Sequence, residues 1–154
     1  MRATAAGALT GVAASVPLLL GLWWTLRTPR KSVRGLVELV QQQLGPLLAS
    51  CTPVEVALLA IMAGTAEEIF FRGVVQVGLA RILPQSLALV LASLAFGLAH
   101  FLTPTYAFLA GLAGMYLGAV FWVEGNLLTP IVAHSVYDFV ALTYLVRRHR
   151  AAAE

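Results

Sequence analysis

The chain has 154 residues, 60% of them hydrophobic and 11% charged, with a formal net charge of +3. A soluble domain carries about 25% charged residues, and a core of this size cannot hide so much apolar surface from water, so the composition excludes a soluble globular domain and points to the lipid bilayer as solvent. Most of the basic residues lie in two short clusters, not in a stripe on a folded surface, which excludes a nucleic-acid-binding face, and the lone Cys51 excludes an intrachain disulfide framework or a cysteine-rich metal site.

Length allows one domain. Arg far outnumbers Lys and Ala is abundant, a bias that points to a GC-rich bacterial genome. The first hydrophobic segment, Ala5 to Leu26, carries no charge and is long enough to span a bilayer. It ends in Trp23-Trp24-Thr25-Leu26-Arg27 with no small-residue cleavage site, so it reads as an uncleaved span with interfacial Trp and not as a signal peptide. Arg27, Arg30, Lys31 and Arg34 then make a basic loop.

Ser32 to Leu44 is predicted as a short amphipathic helix lying along the interface. Val33, Leu36, Val37, Val40 and Leu44 share one side, and Arg34, Glu38, Gln41 and Gln42 the other. Pro53 opens the second span, which runs to about Ala80. From Ile82 to Val123 only His100 titrates near neutral pH; that run is too long for one span and breaks at Thr103-Pro104-Thr105. The last span runs from about Leu127 to Val146 and ends in Arg147-Arg148-His149-Arg150.

The expected architecture is thus all-α, a polytopic membrane bundle of about five transmembrane helices plus the amphipathic segment. The excess of Arg and Lys in cytoplasmic loops sets its orientation. Five spans place both basic clusters in the cytoplasm and the N-terminus outside, leaving Arg81 as a minor exception; four or six would separate the clusters. The expected location is the inner (plasma) membrane.

Glu55, Glu67, Glu68, Arg72, His100, His134 and Asp138 lie within these spans. Glu55 stands near a helix start, where a carboxylate suits the dipole. A charge at the bilayer centre costs about 2.5–3.5 kcal/mol on insertion scales, so the deeper groups are expected to face the bundle interior and to pair. Glu68 and Arg72 are four apart, share a helix face and can form an ion pair. Glu67 is rotated by about 100° from Glu68 and is left over. A Glu, two His and an Asp from three spans can activate water, bind a metal or carry protons. Gly111, Gly114 and Gly118 fall on one face and are expected to serve close helix packing.

Glu67-Glu68-x-x-x-Arg72, Phe96-x-x-x-His100 and His134-x-x-x-Asp138, in that order and each in its own hydrophobic segment, resemble the motif series of the CPBP intramembrane proteases (ABI family). That family includes CAAX prenyl endopeptidases and bacteriocin-processing and immunity proteins. The resemblance covers about residues 53 to 146. It divides the chain into 1–52 (first transmembrane helix, basic loop and amphipathic segment), the protease-like core 53–146 and a basic cytoplasmic tail 147–154. No H-E-x-x-H, no G-x-S-x-G and no pair of intramembrane aspartates competes with it.

The resemblance implies that Glu67 activates a water, that His100 shares it, and that His134 with Asp138 stabilises the oxyanion. Glu68 and Arg72 brace the helix, with Phe96 as further support. It implies no cofactor, although one Glu and two His also compose a zinc set as an alternative. The implied partners are the bilayer and a peptide or protein substrate, lipidated or otherwise membrane-anchored. The other class that fits is a non-catalytic member of the same family, an immunity or partner-binding membrane protein. Asp138 departs from the Asn of the prenyl-protease branch, and an ionised carboxylate repels a developing oxyanion. One conflict stands: the topology puts His100 near the inner end of its span and His134 near the outer end of its own.

Overall fold

The protein's computed structural model describes residues 5–152, and every regular element among them is helical. The first four residues of segment 1–52 and the last two of the tail 147–154 lie outside the described residues. Helix α1 spans Ala5–Arg27, α2 Lys31–Leu48 and α3 Pro53–Glu68. A π-helical stretch, Ile69–Gln76, carries α3 on into the short α4, Val77–Ala80. Helix α5 spans Gln85–Ala99, α6 Pro104–Glu124 and α7 Leu128–Ala151. All five hydrophobic segments are thus helical. The amphipathic segment is α2, which continues past Leu44 with Pro46 inside it and buries Val33 and Leu36. Arg147 to Arg150 complete the last turns of α7.

The helix boundaries follow from local chemistry. Thr52 and Glu55 form a reciprocal capping box: Thr52 N–H donates to Glu55 Oε2 at 2.7 Å, and Glu55 N–H to Thr52 Oγ1 at 3.3 Å, with Pro53 in the first turn. This box accounts for Glu55 at the membrane edge. Thr103 caps α6 by accepting from Tyr106 N–H at 3.1 Å, again with Pro in the first turn. At the other end of α6, Gly125 takes the left-handed conformation, φ 60°, which suits glycine.

Helices α1, α6 and α7 are each long and apolar enough to cross a bilayer. Lys31–Leu48 and Pro53–Ala80 meet the same test only as a pair, and the pair is bent by 119°. Helix α5 has 15 residues, about 22 Å of rise against a hydrocarbon thickness of about 30 Å. His100, at its C-terminal cap, faces the same Glu67 carboxylate as His134.

Packing then sets the directions. Helix α1 runs parallel to α7: Thr129 Oγ1 donates to the Gly7 carbonyl at 3.4 Å, and Gly11 lies against Val132. Both helices therefore carry their basic residues to the same end of the bundle. The Arg150 guanidinium holds the turn between α2 and α3 at that end, donating to the carbonyls of Ala49 at 2.9 and 3.0 Å and Cys51 at 3.0 Å. Helix α3 packs antiparallel to α7 at Gly64, where a Cβ would lie 2.6 Å from Ser135 Oγ. Helices α5 and α6 cross at Gly97, where a Cβ would lie 2.6 Å from the Ala107 carbonyl oxygen. Both crossings need glycine for the backbones to approach.

Candidate functional site

The polar groups of α3 and its π-helical extension form a ladder. Glu68, Arg72 and Gln76 are 0%, 2% and 2% exposed. Turns wider than 3.6 residues bring positions four apart closer to alignment, so the π-helical stretch keeps these three on one buried side. Arg72 Nη1 donates to Glu68 Oε1 at 2.7 Å and Arg72 Nη2 to the Gly114 carbonyl at 2.9 Å. Gln76 Nε2 donates to the Gly118 carbonyl at 3.1 Å. The glycine stripe of α6 thus does more than pack: without side chains there, two of its carbonyls accept from the ladder. Gln76 escaped the sequence reading, although an amide one turn beyond Arg72 in an apolar run was a signal.

Glu68 has a second partner. Its Oε1 lies 2.8 Å from His134 Nδ1. A carboxylate accepts, so Nδ1 carries the hydrogen, and His134 Nε2 is left for the interior. The expectation of Glu68 as a brace for Arg72 therefore gains an addition: Glu68 also holds His134. Sequence spacing gave no signal for this bond, which joins two helices.

His100 is fixed in the same manner. Its Nδ1 donates to the Phe96 carbonyl at 2.9 Å, and its ring stacks on Phe96 with centroids 4.4 Å apart. Arg72 Cζ sits 4.6 Å from the centroid of the same Phe96 ring, and the His134 ring meets it edge-on at 5.9 Å. Phe96 is thus the shared apolar support of Arg72, His100 and His134.

Glu67 faces both imidazoles. Its Oε2 lies 3.5 Å from His100 Nε2 and 3.9 Å from His134 Nε2, and it has no hydrogen-bond partner among the described residues. Both distances exceed a good hydrogen bond. Asp138 Oδ2 lies 3.6 Å from His134 Nε2, a contact and not a hydrogen bond. The structure therefore brings together Glu67, His100, His134 and Asp138 from three helical segments, as expected of deep ionisable groups that each need a polar partner. Among the described residues no group of three His, Cys, Asp or Glu side chains is arranged to hold a metal ion.

A cavity of about 230 Å³ opens from this cluster. Phe96, His100, His134 and Asp138 line it together with apolar side chains of α1 and α2, among them Leu18 and Val40. The cavity joins the Asp138 carboxyl and two oriented imidazoles, which Glu67 faces, to an apolar chamber. That is a setting in which a base, a proton carrier and an apolar ligand can meet.

Residues 49–140, more than half of the chain, match the family model of the type II CAAX prenyl endopeptidase Rce1-like proteins. No curated protein and no solved structure matches the chain. The matched region contains the whole ladder and cluster and begins just after α2.

Proposed function

The chain belongs to the type II CAAX prenyl endopeptidase Rce1-like family, and from that premise we propose that it is an intramembrane glutamic endopeptidase acting on a membrane-associated peptide. The observation that carries the reading is the approach of Glu67 Oε2 to both His100 Nε2 and His134 Nε2, at 3.5 and 3.9 Å. Each ring commits its Nδ1 hydrogen elsewhere. A neutral Nε2 and a carboxylate are both acceptors, so a water that gives one hydrogen to each satisfies the arrangement.

In this mechanism Glu67 takes a proton from that water as its oxygen attacks the scissile carbonyl carbon. The C=O electron pair moves onto oxygen, and the oxyanion is held on the His134 and Asp138 side. The proton passes to the amide nitrogen, with His100 as carrier, and the C–N bond breaks. His134 Nε2 acts as a donor when its ring is charged, with Glu68 holding Nδ1–H. No metal takes part in these steps.

The substrate is a lipidated or otherwise membrane-anchored peptide, a reading supported by the apolar cavity wall of α1 and α2. The bundle is a multi-pass protein of the inner (plasma) membrane. Both basic ends face the cytoplasm, which follows from the parallel course of α1 and α7 and the preference of Arg and Lys for that side.

The test is proteolysis. Purified protein in phosphatidylglycerol–phosphatidylethanolamine vesicles should cleave at least one member of an acyl-anchored peptide library, and Glu67→Gln should lose about 10²–10⁴-fold in rate with its fold intact. A well-folded Glu67→Gln variant at wild-type rate overturns the assignment. A wild-type protein with no cleavage of any member favours the non-catalytic, partner-binding class.

A further inference from the structure

Amide hydrolysis needs a hydrogen-bond donor at the carbonyl oxygen as that oxygen becomes negative. The four clustered residues are short of one. His100 and His134 each commit Nδ1–H to a protein acceptor, at Phe96 O and Glu68 Oε1, so Nε2 donates only while the ring is charged. Glu67 and Asp138 offer only acceptor oxygens when ionised.

Tyr106 carries a neutral donor beside them. It lies in the first turn of α6, where its backbone N–H is held by Thr103 Oγ1. With the Pro104 start, this cap fixes the ring over the chain end of α5. The Tyr106 ring stands edge-on to His100, with centroids 6.0 Å apart and planes at 88°. It lines the same cavity as His100, His134 and Asp138. Its hydroxyl forms no hydrogen bond with any described residue. Tyr137 also lines the cavity, but packs against the cluster of Leu18, Leu117 and Ala133 on the α1 side.

We propose that the Tyr106 hydroxyl is a further catalytic group, donating a hydrogen bond to the scissile carbonyl oxygen and to the oxyanion it becomes. This rests on the endopeptidase reading above. No bond to Tyr106 forms or breaks and its proton stays on the phenol, so the balance of the hydrolysis is unchanged. A neutral phenol does what an ionised Asp138 cannot, and it does so whether or not the His134 ring is charged.

The experiment is steady-state cleavage of the acyl-anchored peptide by Tyr106→Phe in the same vesicles. A donor used mainly in the transition state predicts a kcat lower by about 10²–10³-fold, with KM within about twofold and an unchanged melting temperature. A second replacement keeps the shape of the ring: fluorinated tyrosines placed at position 106 make the phenol more acidic. The alkaline limb of the pH–kcat profile should then move to lower pH as fluorines are added. A Tyr106→Phe variant at full kcat, or an alkaline limb that ignores fluorination, overturns the inference while an inactive Glu67→Gln leaves the endopeptidase reading standing. A wild-type protein inactive on every peptide overturns both.

Discussion

Replacing Glu68 by Gln keeps the shape of the side chain and removes its charge. In the folded protein Glu68 is fully buried, and its Oε1 accepts from Arg72 at 2.7 Å and from His134 at 2.8 Å. Breaking a buried pair by removing one partner costs about 3–5 kcal/mol, because the other charge is left uncompensated. Two features place this case near the lower bound. Arg72 keeps the Gly114 carbonyl and the face of Phe96, and a desolvated cation–π contact is worth about 2 kcal/mol. The amide oxygen of Gln can also take the place of Oε1, which accepts both donors. Glu68→Gln should therefore lose about 3 kcal/mol, read as the shift in equilibrium unfolding in mixed detergent micelles.

The same substitution should lower specific activity, because a neutral amide oxygen holds the Nδ1–H of His134 less strongly than a carboxylate does. Arg72→Met gives the contrast, since it strips the ion pair while leaving Glu68 to hold His134. At matched folded yield, Glu68→Gln should be the slower enzyme of the two, yet faster than Glu67→Gln. A loss of stability under about 1 kcal/mol, the range of an exposed pair, would refute the buried pair. Equal specific activity in Glu68→Gln and Arg72→Met would refute the hold on His134.

Asp138→Asn should keep most activity, because His134 is oriented from its Nδ1 side by Glu68 and Asp138 stands 3.6 Å from Nε2; a hundredfold fall in kcat in a folded variant would give the Asp138 charge an essential role. Dialysis against a strong chelator should leave the cleavage rate unchanged; abolition with rescue by stoichiometric zinc would transfer the site to the zinc reading. Gly97→Ala places a methyl group 2.6 Å from the Ala107 carbonyl oxygen and should cost about 1–3 kcal/mol. Because it pushes α5 from α6 next to His100, it should lower kcat as well; wild-type melting and rate together would show that the crossing yields freely.

The parts of the site legible in the sequence were those that obey helical spacing. Glu68 and Arg72 are four apart and pair; His134 and Asp138 are four apart and touch; Phe96 and His100 are four apart and stack. Apolar length gave the helices, and Thr103-Pro104 gave the break before α6. Spacing is silent about contacts between helices, so it assigned Glu68 a single partner. A buried carboxylate has more than one lone pair to satisfy, and Arg72 Nη1 uses only part of that capacity. The second donor comes from another helix and shares Oε1 with Arg72, and only the close α3–α7 crossing at Gly64 identifies it as His134.

The depth conflict between the two imidazoles has the same origin. Hydropathy runs unbroken from Ile82 toward the Thr103-Pro104 break, and an apolar count does not show where a helix stops. The chain stops it at Ala99, with His100 as the cap residue. There the ring reaches its own helix's end carbonyl at Phe96 and turns Nε2 toward Glu67. A longer α5 would carry the next turn toward the boundary. The short helix is thus part of the site. The Phe96 carbonyl there accepts both the backbone N–H and the ring Nδ1–H of His100, which keeps the imidazole beside the carboxylate of α3.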